Sequence, residues 1–215
     1  MDLQAMAIAQ ASYDTRVRAL EQRVTALEHL VHPVVEHVPD VDIPTVLLDA
    51  GHGGSDPGAS GNGLVEKNIT LEIALATAAK LRTVGYRVLL TRIADITVPL
   101  VERGVKAPPA DFYVAIHCNA FTNPQANGTE VWYWTGNAES KAFANRINQE
   151  TLQQFPTLTN RGVKEGKGNT YWYCFNANIP KCVLFETAFI SNAEDATLLT
   201  QYDRWATTIC NAIIA

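Results

Sequence analysis

Thr45-Val46-Leu47-Leu48-Asp49-Ala50-Gly51-His52-Gly53-Gly54-Ser55-Asp56-Pro57-Gly58-Ala59-Ser60-Gly61-Asn62-Gly63-Leu64-Val65-Glu66 is the stretch on which the fold turns. It opens as a short apolar run, Val46-Leu47-Leu48, which reads as a buried strand. It then breaks into a loop crowded with glycine, a residue that lets backbone pack closely around a ligand or take positive φ. His52 stands where the strand ends, and Glu66 stands where a helix should begin. A histidine and a glutamate flanking such a loop can meet on one metal ion. Alone, the pattern is weak and is more often a turn with a solvated histidine, so the rest of the chain has to decide.

Downstream, apolar strands alternate with helical stretches. Lys67 to Val84 carries Leu71, Leu75 and Ala78 at helical spacing and is closed by Gly85. Strands are expected at Tyr86–Thr91, Asp111–Cys118, Thr129–Trp134 and Cys182–Thr187, with a short one at Tyr171–Cys174. Further helices are expected over Val98–Lys106, Asn137–Gln154 and, as two pieces, Asn192–Ala215. Thr159 to Asn169 is polar and glycine-rich and reads as a loop. Such alternation predicts an α/β fold, a twisted and mostly parallel sheet with helices on both faces.

Upstream the chain is different. Leu3, Met6, Gln10, Tyr13, Val17, Leu20, Val24, Leu27 and Val31 fall on alternating spacings of three and four, as the a and d positions of a heptad repeat do. Residues 1–32 therefore read as an amphipathic helix. It either oligomerises the protein through residues 3–31 or folds back on its own domain. Pro33 stops it. A linker, residues 33–44, holds His37 and Pro39, with His32 just before it; both histidines read as solvated. The organisation expected is thus helix (1–32), linker (33–44) and one domain (45–215).

With 215 residues and 47% hydrophobic content, the chain can fill one ordinary core. The net charge is -5 and no basic block occurs, which excludes nucleic acid as the expected partner. No apolar run reaches the roughly 18 residues of a transmembrane helix. Cys118, Cys174, Cys182 and Cys210 show no Cys-x-x-Cys spacing and read as small buried hydrophobes. A Cys174–Cys182 bridge stays open. The N-terminus lacks a basic segment followed by an apolar core, so the chain is expected to be made in the cytoplasm. A chain lacking its leader would read the same way.

Three predicted strands end in polar residues of related chemistry: the first near His52, the third at His117, and Val183-Leu184-Phe185 at Glu186. In an open parallel sheet, sites form at the carboxyl ends of strands. Glu66, opening the first helix, can reach the same edge. Two histidines and a carboxylate are a common ligand set for catalytic zinc, with a fourth position left for water. The metal lowers the pKa of that water towards about 7. A second, unligated carboxylate can take the water proton and pass it to the leaving group. His52, Glu66 and His117 suit the first role. Glu186, following an apolar strand and so partly desolvated, suits the second. Each also has a structural reading, as a hydrogen-bonded core histidine or a glutamate at a helix start.

The chain from about Thr45 to Ala215 resembles the zinc-dependent N-acetylmuramoyl-L-alanine amidases often called amidase type 3. The matching residues are Leu48-Asp49-Ala50-Gly51-His52-Gly53-Gly54, Asp56-Pro57-Gly58-Ala59, Glu66-Lys67, Thr91-Arg92 with Asp95 and Arg103, Ile116-His117-Cys118-Asn119-Ala120, and Glu186-Thr187-Ala188-Phe189-Ile190-Ser191-Asn192. The resemblance implies one Zn2+ per chain held by His52, Glu66 and His117, with Glu186 as the catalytic carboxylate. It implies peptidoglycan as substrate, cut at the amide between the lactyl group of N-acetylmuramic acid and the first L-alanine of the stem peptide. Two positions depart from the pattern. Cys118 stands where serine or alanine is common, and Ala188 where glycine is common. No autoinhibitory helix is inserted, as it is in some cell-division members. Together with the missing export signal, the resemblance suggests an enzyme like a phage or prophage endolysin, acting on the wall after release. Arg92, Arg103, Asn119, Lys164 and Lys167 are candidates for contacting peptide carboxylates or orienting ligands, against a plainer reading as ion pairs and solvated loop residues. Rival functions are a zinc peptidase or deacetylase acting on another amide, and a non-catalytic wall-binding protein.

Overall fold

A computed structural model describes residues 43–104, 106–166 and 179–215. The heptad helix, most of the linker, Lys167, Cys174 and the short strand expected at Tyr171–Cys174 lie outside the described residues.

The apolar run becomes β1 (Thr45–Ala50). The glycine loop holds a small antiparallel ribbon, β2 (Ser60–Gly61) with β3 (Leu64–Val65). It feeds α1 (Glu66–Thr83), whose exit is turned by Gly85 at φ 91°. There follow β4 (Arg87–Leu90), a one-turn helix α2 (Leu100–Arg103), β5 (Phe112–Asn119) and β6 (Thr129–Trp134). α3 (Ala138–Gln154) starts at Asn137, whose side chain accepts from the Ser140 amide as an N-cap should. Then come β7 (Asn160–Gly166), β8 (Lys181–Phe189), α4 (Ala193–Leu199) and α5 (Tyr202–Ile214).

Six strands form one sheet in the order β4-β1-β5-β8-β6-β7. β4, β1, β5 and β8 run parallel; β6 is antiparallel to β8, and β7 is parallel to β6. Because side chains alternate along a strand, the two faces separate cleanly. Val46, Leu48, Val114, Ile116, Val183 and Phe185 bury against Ile73 and Leu81 of α1, Phe143 and Ile147 of α3, and Trp205 and Ile209 of α5. Trp205 is the hub, stacked on Phe155 at 4.0 Å and edge-on to Phe185 at 5.9 Å. The opposite face carries Leu47, Tyr113, Ala115, Cys182 and Leu184 under a thinner cover that includes Ala107 and Ala110 beyond α2. Helices therefore lie on both sides; among the described residues, three long ones cover one face and a single turn the other.

One expectation fails. The polar segment read as a loop from Thr159 to Asn169 is strand β7, paired with β6 from Asn160↔Thr129 to Gly166↔Trp134. Only Val163 packs apolar surface there. At a sheet edge, charge is tolerated and even protective, so pairing with β6 overrides the weak strand propensity of Asn-Arg-Gly-Val-Lys-Glu-Gly. Cys118 is a buried, free thiol on the helical face, opposite His117, as alternation along the strand requires. Among the described residues, no helix is long and apolar enough to cross a membrane.

Candidate metal centre and active site

One transverse row of the sheet gathers the candidate residues. Gly51 donates its amide to the Ile116 carbonyl at 3.0 Å, just past β1. His117 is the partner of Glu186, and Glu186 the partner of Glu130. The row lies on the thinly covered face, at the carboxyl ends of β1, β5 and β8. Gly51 is empty for a reason: a Cβ there would sit 2.4 Å from the His117 ring. Gly51→Ala should push that ring out of place and, if the cluster holds a metal ion, lower affinity for it by about tenfold or more. Competition with a chromophoric chelator reads this directly, and unchanged affinity would mean that the ring does not need that space.

His52 hangs from the loop after β1 with φ 60°, a left-handed conformation unusual for a residue with a Cβ. Two arginines hold it there. Arg103 donates to the His52 carbonyl at 2.5 Å, to the Ala50 carbonyl at 2.7 Å and to Asp49 Oδ1 at 2.5 Å. Arg92 donates to the carbonyls of Ala50, Gly51 and Lys67 at 2.7–3.0 Å. Both arginines are buried. They brace the loop that carries His52, with donors directed at backbone carbonyls, Asp49 Oδ1 and Thr70 Oγ1. Asp49, fully buried in the apolar run, also accepts from Thr91 and Tyr113.

Glu66 is the first residue of α1 and takes two backbone donors, Ala59 N at 2.8 Å and Cys118 N at 2.9 Å. These fix the carboxylate. His52 Nε2 and His117 Nδ1 each approach Glu66 Oε1 at 3.1 Å. Asp56 holds the other side of the His52 ring, Oδ2 to Nδ1 at 2.8 Å. Ligand atoms of His52, Glu66 and His117 lie within 4.8 Å of one another. The structure thus brings together the three residues expected to share a metal. Their chemistry fits zinc: two imidazoles and a carboxylate, with at least one imidazole oriented by a further carboxylate.

Electrostatics bind the cluster. Burial works against charge on His52, but Glu66 and Asp56 outweigh it and raise its pKa to about 9. Burial also opposes charge on Glu66, yet the hydrogen bonds from His117 and His52 hold its carboxyl well below the usual carboxylate range. Glu186 is the opposite case. Burial dominates and pushes it up to about 7, with His117 pulling down and Glu66 and Glu130 pushing further up. Its Oε2 is buried with no hydrogen-bond partner among the described residues. All four residues line one cleft of about 550 Å³, walled by Val98, Pro99 and Leu100 on one side and Asn119 and Ala120 on the other.

Sequence reasoning did not assign Asp49, Asp56 or Glu130. Asp49 had a signal, a lone charge inside an apolar strand. Asp56, four residues after His52 in the quoted loop, had one too. Lys164 and Asn119 both bond Glu130.

Residues 46–215 match the profile of the family Amidase_3, N-acetylmuramoyl-L-alanine amidase. The chain is 39% identical over 161 residues to N-acetylmuramoyl-L-alanine amidase LytC of Bacillus subtilis, covering 73% of this chain and 32% of that protein. It is 41% identical over 128 residues to N-acetylmuramoyl-L-alanine amidase AmiC of Neisseria meningitidis, covering 56% and 31%. The match thus spans about a third of each relative's length. Among solved structures, N-acetylmuramoyl-L-alanine amidase AmiC2 of Nostoc punctiforme superposes with a TM-score of 0.69 at 33% identity, over 80% of this chain and 95% of that one. The catalytic domain of CwlV, an N-acetylmuramoyl-L-alanine amidase of Bacillus (Paenibacillus) polymyxa, gives 0.70 at 31%, over 80% and 96%. The sheet, the row of site residues and the profile match agree: this chain belongs to the N-acetylmuramoyl-L-alanine amidase family Amidase_3.

Proposed function

We propose that the protein is a zinc-dependent peptidoglycan amidase that hydrolyses the amide between N-acetylmuramic acid and the L-alanine of the stem peptide. The observation that carries this reading is Glu186: a buried carboxylate with an unpartnered oxygen, in one cleft with a His52-Glu66-His117 cluster. A structural glutamate would have found donors, as Glu66 and Glu130 have.

His52, Glu66 and His117 would hold the ion. Zinc bound there supplies a Lewis acid that polarises the amide carbonyl and acidifies water. Glu186 takes a proton from the attacking water and delivers it to the amide nitrogen, which leaves as the amine of L-alanine. Its raised pKa suits both halves of that exchange. Asp56, Arg103 and Arg92 orient His52, while the Ala59 and Cys118 amides orient Glu66. Val98, Pro99 and Leu100 form an apolar wall against which bulk water is displaced.

The test is digestion of purified peptidoglycan with and without a chelator. New alanine amino groups should appear without new reducing sugar ends. Chelation should abolish their release, and zinc add-back should restore it. Free acetate, cuts between stem residues, or full activity in the chelated protein would each overturn the assignment.

A further inference from the structure

The row that carries the site continues past Glu186. Its cross-strand neighbour on β6, Glu130, is buried and fully engaged. Oε1 accepts from Asn119 Nδ2 at 3.0 Å and Trp132 Nε1 at 3.1 Å. Oε2 accepts from Arg161 Nε at 2.7 Å and from Lys164 Nζ. Burial alone would raise the Glu130 pKa, but Lys164 and Arg161 outweigh it and keep the carboxylate ionised.

Arg161 reaches this face because the β6–β7 register slips between Thr129↔Asn160 and Glu130↔Gly162. Arg161 is left as the extra residue, and bulges of this kind re-aim a side chain. Its guanidinium lies 4.8 Å over the Phe189 ring, and the Lys164 ammonium 5.3 Å over the Trp132 ring. Both cations are thus held in place, yet about a third of each side chain faces solvent, 35% and 31%. Their donors are far from used up. Among the described residues, Arg161 adds only a 3.5 Å contact to the Asn127 carbonyl, and Lys164 has no acceptor besides Glu130. An arginine has five N–H donors and a lysine three. Asp195, the other acid that feels Arg161, is committed to the Gly128 and Phe189 amides. Among the described residues, the sole arginine or lysine lining the cleft is Arg103, and its donors go to Asp49 and backbone carbonyls.

We propose that Arg161 and Lys164 form a subsite for a carboxylate on the amine side of the cleaved bond, the α-carboxyl of the residue that follows L-alanine. This rests on the amidase reading above. Adjacent strands lie about 4.8 Å apart, so the cluster on Glu130 sits within about two strand spacings of Glu186. Two extended residues span at most about 7 Å, which matches the distance from the scissile nitrogen to that carboxyl. Glu130 preorganises the two cations and thereby lowers the ordering cost of binding. Amidating that carboxyl would remove its charge, so the subsite makes the enzyme sensitive to stem amidation.

The experiment uses the full chain and two muramyl peptides identical except that this carboxyl is free in one and an amide in the other. KM for the free acid should be about tenfold lower, the effect of one good charge-assisted contact, with kcat nearly the same for both. The preference should shrink at high salt, because the cations are partly exposed. In an Arg161→Gln/Lys164→Gln double variant the ratio of the two KM values should fall towards one, and Arg161→Lys should recover part of it. Equal KM values for the two substrates in the unmodified protein would overturn the subsite while leaving the amidase reading intact. Cleavage of neither would overturn the amidase reading and the subsite with it.

Discussion

Glu186→Gln should stop amide cleavage without emptying the metal site. General acid–base catalysis by a placed carboxylate contributes roughly 10²–10⁴-fold, so kcat should fall by at least the lower figure. Glutamine keeps the shape but cannot carry the proton from water to nitrogen. Zinc content should stay at the unmodified level, because His52, Glu66 and His117 are untouched. The melting temperature should also hold or rise. Glu186 Oε2 is buried without a partner among the described residues, and a desolvated carboxylate costs stability rather than adding it. Rate measurement on muramyl peptides, metal analysis and a thermal melt together check this. A Glu186→Gln protein with near-normal kcat would remove Glu186 from the reaction.

Arg103→Ala should produce the largest loss of stability of any single change near the site. Arg103 is 3% exposed and Asp49 0%, with Nη1 to Oδ1 at 2.5 Å. Removing one partner of a buried ion pair leaves the other charge uncompensated, at a cost of about 3–5 kcal/mol. Asp49 would keep only the hydroxyls of Thr91 and Tyr113. The change also frees the His52 carbonyl and so relaxes the left-handed turn that aims the ligand. The melting temperature should drop on the order of 10 °C. Urea titration measures the loss, and a double change with Asp49→Asn should recover part of it. A cost under about 1 kcal/mol would show that the pair is not what holds the loop.

The sequence carried the centre of the fold because buried parallel strands announce themselves. Val46-Leu47-Leu48, Phe112 to Ile116 and Val183-Leu184-Phe185 are continuous apolar runs, and the last two end directly at residues of the row, His117 and Glu186. Glu66 was readable because a glycine loop before a helix leaves few places for the first carboxylate to go. β7 was not readable. Its side chains look like those of a loop, and only the ladder offered by β6 makes it a strand. Arg161 was hidden for a related reason. Which face it takes depends on a register slip, a property of two paired strands that neither segment contains alone. Arg92 and Arg103 could be located as candidates, but their targets are backbone carbonyls brought near by the turn at His52, and carbonyls have no letter in a sequence.

The strand order also bears on how the protein comes into being. β8 is the last strand in the chain, yet it lies between β5 and β6. Until it emerges during synthesis, β4-β1-β5 and β6-β7 are two half-sheets with no ladder between them. Contacts of such long sequence separation form late and slowly. Glu186 is on that same strand, so the keystone of the sheet and the proposed proton carrier arrive together. A nascent or truncated chain ending before Lys181 has neither a closed sheet nor Glu186. Strand order thus makes the sheet and the Glu186 position complete only when the last strand is in place.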